Sequence, residues 1–370
     1  MRISSTVTVI TLFPLVVAFL TMLTFVAPAR MRTRPRWIWI AVLLACSSRG
    51  AIYAALGGSA QAPDFPEALL WVWDWACSGL FILFALSLFW WVRRGRTVLL
   101  PVLAWGLAAV GFVNGIVLPS VREVELRYSD LPAELDGYRI AQLSDLHCSG
   151  SMRGWRTRCI VERINAAKPD LICLTGDYVD GTVAQRVRDL EPLKDLRAPD
   201  GVWCIRGNHE YFLDAPLWRE WFDENGFKFL ANACVFPRKS LALGGVNDIA
   251  AVRYLDVVPN VGKTFAAATN GEFRVLLEHR PGAATDNVAS HGVRLQLSGH
   301  THGGISPGFD RLVARFNNGF VHGAYALPGG NLYVSRGVGQ WAGFPLRFFN
   351  PPEIAVIVLR KGLPGKENAR

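Results

Sequence analysis

Four long apolar runs crowd the first 120 residues of this 370-residue chain, and they limit what it can fold into more than any other feature. They lie at Thr6–Pro28, Trp37–Leu56, Ala68–Val92 and Thr97–Leu118. A helix needs about 20 apolar residues to cross a bilayer, so the expectation is an all-α membrane region of about four transmembrane helices over residues 1–120. Arg49 interrupts the second run and Asp74 sits inside the third. The two could pair, and a functional role is the default reading of charge at such depth, with snorkelling or a wrongly drawn segment end standing at least level with it.

The arginines give a direction. Clusters at Arg30–Arg36 and Arg93–Arg96 follow the first and third runs, whereas the loop 57–66 has neither Lys nor Arg. The positive-inside rule puts the clusters in the cytoplasm. The N-terminus and everything after Ser120 then lie outside, an extracytoplasmic domain on an integral protein of the cell (inner) membrane. Ala27-Pro28-Ala29 resembles a signal-peptidase site, but the run before it is long for a signal peptide, and cleavage would leave four arginines on the outer face. The expectation is an uncleaved anchor. If the second run does not cross, the downstream domain moves to the cytoplasm, which its free cysteines would suit.

Charge follows the same division. Residues 1–120 hold nine arginines against Asp64, Glu67 and Asp74, so they carry +6 of the net +9. The basicity flanks the membrane rather than forming a nucleic-acid face, and no nucleic-acid partner is expected. The seven cysteines are odd in number and lack any CxxC spacing, which excludes a disulfide framework and a thiolate zinc site. Cys148 could be a reactive thiol; packing as a small apolar side chain is the reading preferred for it.

From Val121 onward short β-rich runs alternate with helical spacing. Strands are expected at 138–143, 170–175, 201–205, 241–245, 273–278, 293–297, 332–335 and 354–359, and helices at 155–167, 183–196 and 217–224. This alternation argues for an α/β domain over residues 121–362, with a disordered tail at 363–370. The polar residues fall at strand ends. Asp145 and His147, Asp177, Asn208 and His209, His279, and His300 and His302 each sit at or just past the C-terminal end of an expected strand, where open α/β sheets bind ligands. Five of the seven histidines lie in these segments and none in the apolar third. Carboxylates, an amide and imidazoles without thiolates suit two divalent ions such as Mn, Fe or Zn.

Taken in order, Asp145-Leu146-His147, Gly176-Asp177, Gly207-Asn208-His209-Glu210, Glu278-His279-Arg280-Pro281 and Gly299-His300-Thr301-His302 resemble the calcineurin-like metallophosphoesterase family, over roughly Gly137 to Arg360. The run 332–339 and the Gly303-Gly304 pair are similar to its membrane-associated bacterial phosphodiesterase branch, which includes UDP-2,3-diacylglucosamine hydrolases of lipid A biosynthesis. The resemblance implies a sandwich of mixed sheets flanked by helices. It implies two divalent metal ions, one held by Asp145, His147 and His302, the other by Asn208, His279 and His300, with Asp177 bridging. A metal-bridging hydroxide would attack phosphorus in line, His209 would protonate the leaving oxygen or stabilise the charged phosphoryl group, and Asp180 would orient His209. Arg206 or Arg280 would contact phosphate, or stay a solvated charge.

Three departures qualify the resemblance. Gly181 stands where protein Ser/Thr phosphatases of this family carry arginine, which argues against phosphoprotein substrates. Glu210 replaces a more usual Asp, and Pro307-Gly308-Phe309 interrupts the stretch after the glycine pair. His291 and His322 match no motif and are read as surface or packing residues. Asp145 and Asp177 could serve as helix caps, but capping leaves the neighbouring His147 and His209 unexplained. The expected function is a membrane-anchored phosphohydrolase cleaving a phosphodiester or pyrophosphate bond, with a phosphate-containing, lipid-linked substrate such as UDP-diacylglucosamine. The alternatives are a broad-specificity phosphomonoesterase and a non-catalytic metal-binding membrane receptor or scaffold. A transporter would have to rest on Arg49 and Asp74 alone.

Overall fold

A computed structural model of the chain describes residues 5–27, 33–59, 62–90, 99–255, 257–269 and 271–363. Arg30, Arg32, Arg93, Arg94 and Arg96, the ends of the first and third expected spans, the start of the fourth, and the tail from 364 onward lie outside the described residues. The chain divides into two compact units. The first comprises 1–116 with two short segments, 149–153 and 341–348, and the second comprises 117–148, 154–340 and 349–370.

The first unit is helical: α1 (Ser5–Thr21, continued as a π turn, Met22–Val26), α2 (Thr33–Ser47), α3 (Arg49–Ala55), α4 (Glu67–Trp90) and α5 (Leu99–Ile116). Of the four expected spans, Glu67–Leu88 and Leu99–Ile116 are long and apolar enough to cross a membrane among the described residues. Phe13–Val26 is a shorter apolar helix, and α2 and α3 make a third span only if the pair, bent by 67°, counts as one. The bend has a local cause. The Ser47 and Ser48 hydroxyls donate to carbonyls one turn back, which competes with the helix ladder. Arg49 then turns its guanidinium to the buried Asp74 and to the Ala342 carbonyl, forming the pairing expected of two charges at that depth. Segments 149–153 and 341–348 join this unit through Trp71 Nε1 donating to the Ser151 carbonyl (2.9 Å), Ser78 Oγ donating to the Pro345 carbonyl (3.0 Å), and Phe81 stacking on Phe344.

The second unit runs β1 (Ser120–Tyr128), β2 (Arg139–Leu143), α6 (Gly154–Ala166), β3 (Leu171–Leu174), α7 (Val183–Leu190), β4 (Val202–Cys204), α8 (Ala215–Glu224), β5 (Lys228–Phe229), β6 (Ala233–Arg238), β7 (Leu241–Gly245), α9 (Ala250–Leu255), α10 (Val261–Thr264), β8 (Phe273–Leu277), α11 (Ala284–His291), β9 (Leu295–Ser298), α12 (Phe309–Phe316), β10 (Gly323–Leu327), β11 (Gly330–Val334) and β12 (Glu353–Lys361). The strands form two six-stranded sheets, ordered β1-β12-β2-β3-β4-β5 and β10-β11-β9-β8-β7-β6. Neighbours from β2 to β5 are parallel, as are β7, β8, β9 and β11, while β12 runs antiparallel to β2 and β6 to β7.

Alternation along each strand builds the layers, because successive side chains point to opposite faces. Leu171 and Cys173 of β3 join Leu243, Val275 and Leu297 in a core between the sheets. Ile172 and Leu174 face outward to Ile160 and Ile164 of α6 and to Trp218 and Phe222 of α8. On the far side Ala242 and Leu276 pack against Val261 of α10 and Val288 of α11. The result is helix, sheet, sheet, helix, the mixed-sheet sandwich expected from sequence.

The expected strands fall within a residue or two of those observed. The unforeseen ones are β1, β5, β6 and β10. The largely exposed stretch of β1 up to residue 125 carries Arg122, Glu123 and Glu125, so it offers no apolar run to read. The expected helix 183–196 ends at Leu190 and continues as a 3-10 turn to Asp195, where Pro192 removes a donor needed for the α-helical ladder.

Candidate metal centre

The parallel strands deliver their C-terminal ends to one edge of the sandwich, and β2, β3 and β9 are followed there by residues in an uncommon backbone state. Asp145, His147, Asp177, His300 and His302 all have positive φ, between 47° and 71°. Such conformations are sparsely populated for non-glycine residues and persist where the surroundings over-determine them. Two glycines make the crowding possible. A Cβ on Gly299 would strike Ser144 Oγ and Asp145 Oδ2, and one on Gly207 would strike Asp177 Oδ1.

Three overlapping triads result. Asp145, His147 and His302 bring ligand atoms together, as do His147, Asp177 and His209, and Asp177, His279 and His300. His147 Nε2 lies 3.0 Å from His302 Nε2. His279 Nε2 lies 3.1 Å from Asp177 Oδ2. His300 and His302, two residues apart in sequence, fall in different triads, and Asp177 belongs to two of the three.

Each of these side chains is held from behind. His279 Nδ1 is 2.7 Å from the Thr175 carbonyl, to which it donates, so Nε2 is the nitrogen that faces Asp177. His147 Nδ1 is 3.0 Å from Asp180 Oδ2, and the other Asp180 oxygen takes His209 Nδ1. Asp145 accepts from Ser144 Oγ (2.6 Å) and from the His300 backbone N–H (3.0 Å). Asp177 Oδ1 accepts the His209 N–H at 2.9 Å. Asn208 lies between two committed residues, and its Oδ1 is buried without a hydrogen-bond partner. Buried polar atoms rarely lack partners. This orphan, beside a carboxylate and imidazole set that contains no thiol, fits divalent cations of the Mn, Fe or Zn type.

The electrostatics separate the carboxylates. Burial raises Asp145 above the usual carboxylate range, the imidazole of His279 opposing it. Burial acts the same way on Asp177 and Asp180, but the surrounding imidazoles win and hold both below that range. Burial lowers His209, yet Asp180 and Asp177 push it up to about 9. His279 rises to about 10, with Asp177 again outweighing burial, while burial and the neighbouring His279 drive His300 well below its ordinary value. Opposed shifts among adjacent groups are the usual mark of a reactive site.

The remaining expected residues lie as follows. Arg280 Nε is 2.8 Å from Asp248 Oδ2. The buried Arg206 guanidinium sits over the rings of Tyr211 and Phe229, which makes it a packed cation rather than a solvated one. Cys148 is buried against Thr157, and burial pushes its thiol up to about 12, so the reactive-thiol alternative finds no support. The carbonyl of His291 receives Arg274, and His322 is half-buried; neither joins a triad.

Sequence reasoning underrated Glu210. Its carboxylate accepts three backbone N–H groups, from Asp177 (2.9 Å), Tyr178 (2.6 Å) and Gly207 (2.8 Å), and so ties the loop of Asp177 to that of Asn208. Burial raises Glu210 to about 7, with Asp177 adding to the effect. The only sequence signal was its place directly after His209.

Residues 138–304 match the family described as calcineurin-like phosphoesterase. A Bacillus subtilis protein described as uncharacterized metallophosphoesterase YkuE is 33% identical over 245 residues, covering 64% of this chain and 84% of that one. An uncharacterized metallophosphoesterase of Helicobacter pylori is 32% identical over 250 residues, covering 67% of this chain and 66% of its own length. A zebrafish (Danio rerio) transmembrane protein with metallophosphoesterase domain is 32% identical over 278 residues, covering 72% of this chain and 63% of its own length. The chain thus spans slightly less than two thirds of these last two relatives.

Proposed function

The chain belongs to the calcineurin-like phosphoesterase family, and from that premise we propose that it is a membrane-anchored, metal-dependent phosphohydrolase. The bond cleaved is a phosphodiester or pyrophosphate bond in a lipid-linked substrate, of which UDP-diacylglucosamine is one example. The observation that carries the reading is the set of three overlapping triads sharing His147 and Asp177.

Asp145, His147 and His302 would hold one divalent ion and Asn208, His279 and His300 a second, with Asp177 common to both. When bound, such a pair supplies Lewis-acid stabilisation at phosphorus and an activated water. The chain's own residues do the rest. Asp180 accepts a hydrogen bond from Nδ1 of both His147 and His209, which turns each Nε2 toward the shared space. On His147 that nitrogen is a ligand atom. On His209, whose pKa is raised, it carries a proton at neutral pH and is the group to protonate a leaving oxygen. Glu210 keeps Asp177 and Asn208 in register by holding the backbone of both loops.

The apolar helices 67–88 and 99–116 support the membrane anchor, as does the zebrafish relative's description as a transmembrane protein. The arginine distribution favours the inner membrane with the catalytic unit outside the cytoplasm. Purified full-chain protein loaded with Mn should hydrolyse a chromogenic phosphodiester, and His209→Ala should remove most of that turnover. Absence of turnover, together with an indifferent His209→Ala, would leave a non-catalytic metal-binding receptor. Lipid and nucleotide-sugar profiling of a deletion strain, compared with a His209→Ala strain, would identify the substrate. A fusion reporter after Ser120 that signalled only in the cytoplasm would reverse the orientation.

A further inference from the structure

Beside the metal triads the second unit contains a cavity of about 600 Å³, and His300 is part of its wall. Asp248, Ile249, Pro259, Glu278, Arg280 and Phe316 also line it. A volume of this size is typical of a small-molecule site.

Its polar groups are already engaged. Arg280, the one cation among the described lining residues, is held by the buried Asp248 at 2.8 Å. Glu278 Oε2 accepts Asn287 Nδ2 at 2.6 Å and Gln296 Nε2 at 3.1 Å. The cavity therefore offers an ion pair and a satisfied carboxylate, with no uncommitted cation for a second phosphate. An added anion would meet Asp248 and Glu278 at close range, which is unfavourable.

Apolar side chains line the entrance instead. Ile249 is 53% exposed and Phe316 78%. Phe316 ends α12, on which Phe309 and Leu312 are also exposed. Positions 309, 312 and 316 follow the i, i+3, i+7 spacing that places residues along one helix face, so the apolar lining of the cavity continues onto the surface as a stripe. Large exposed apolar side chains gathered at the mouth of a cavity are the mark of a binding surface.

We propose that this cavity receives a hydrocarbon substituent of the phosphoester, with Ile249 and Phe316 as specificity-determining residues and the stripe of α12 guiding the chain in. The inference rests on the phosphohydrolase reading for the nature of the ligand. It divides the substrate: the phosphate lies at the triads, and an alkyl chain on one of its oxygens extends past His300 between Ile249 and Phe316.

The test uses Mn-loaded full-chain protein and a series of p-nitrophenyl alkyl phosphodiesters from methyl to octyl. Each buried methylene contributes about fourfold to kcat/KM, so the octyl-to-methyl ratio should reach at least about 100. The double variant Ile249→Asn, Phe316→Ser should reduce that ratio at least tenfold. Both residues are surface-exposed, and the ratio cancels any loss of active protein. A ratio near one in the wild type, or a ratio that the variant leaves unchanged, overturns the proposal. If no ester is turned over, the hydrolase reading fails separately. Calorimetric titration with ethylphosphonate and octylphosphonate then decides the cavity: equal affinities overturn it, and octyl preference lost in the variant sustains it.

Discussion

His147 and His302 face each other nitrogen to nitrogen, with their Nε2 atoms 3.0 Å apart and Asp145 Oδ1 3.6 Å from the latter. His300, two residues before His302, belongs instead with His279 and Asp177. Metal content should therefore separate the two histidines. His300→Ala and His302→Ala are each expected to retain about one ion per chain, and the double variant none. The pair His147→Ala, His302→Ala, taken from one triad, should still retain about one. Elemental analysis of the purified variants checks this, and two ions in both single variants would contradict it.

Asp180 supports two imidazoles at once. Asp180→Asn is expected to weaken metal affinity about 10- to 100-fold, as loss of an outer partner does. It should also move a pH limb. A general acid works while protonated, so activity falls as pH rises through its pKa. Asp180 is the first of the groups that raise His209. Removing its charge should lower that pKa and shift the alkaline limb of kcat/KM downward. An unmoved limb would exclude His209 as the acid.

Without metal, stability should depend on pH in a defined direction. The folded pKa values of His209 and His279 are raised to about 9 and about 10. Groups with raised folded pKa values contribute stability that is fully present below the unfolded histidine value of about 6.5 and is lost as pH rises through the folded values. The melting temperature of chelator-treated protein should fall between about pH 7 and 10. Saturating Mn should flatten the His279 part of this decline, because metal binding at that imidazole displaces its proton. Thermal scans with and without Mn test both statements.

Glu210→Ala removes the acceptor of three buried N–H groups. Each unsatisfied buried group costs about 1–3 kcal/mol, so a loss of at least about 3 kcal/mol is expected. The melting temperature should drop by several degrees and Mn content should fall with it, since the loops of Asp177 and Asn208 lose their tie. A variant that melted like wild type would remove Glu210 from the scaffold.

Arg49 and Asp74 form a buried ion pair inside the helical unit. Removing one partner of such a pair typically costs about 3–5 kcal/mol, whereas replacing both by apolar residues is often neutral. Arg49→Met or Asp74→Leu alone should lower the melting temperature in detergent, and the double variant should restore much of it. Equal losses in all three would show that the pair is not coupled.

How much of this was legible in the chain differs by element. The α/β domain followed from β-rich runs alternating with helical spacing, and the sandwich from the family resemblance; in the fold Ile172 and Leu174 serve one face and Leu171 and Cys173 the other because β-structure has a period of two. β1 escaped notice because pairing with the buried β12 through nine residues, not an apolar run of its own, holds it in place. The four apolar runs were visible as composition, but where a helix breaks depends on what its side chains meet. The bend at Ser48 is tied to Arg49 reaching Asp74 and the Ala342 carbonyl, 293 residues away in the chain for the latter.

The sequence by itself placed the side chains of the proposed site. Asp145, His147, Asp177, Asn208, His209, His279, His300 and His302 all follow strands, and that order alone assembles them at one rim. Only the tertiary structure decided which atoms meet. Asp180 serves two histidines, Glu210 holds backbone rather than ligand, and Arg280 is committed to Asp248. These are relations between loops from different strands, fixed by left-handed backbone turns and by close glycine contacts at Gly207 and Gly299. Local propensity does not encode such contacts, because the free energy that holds each strained turn comes from the neighbouring loop.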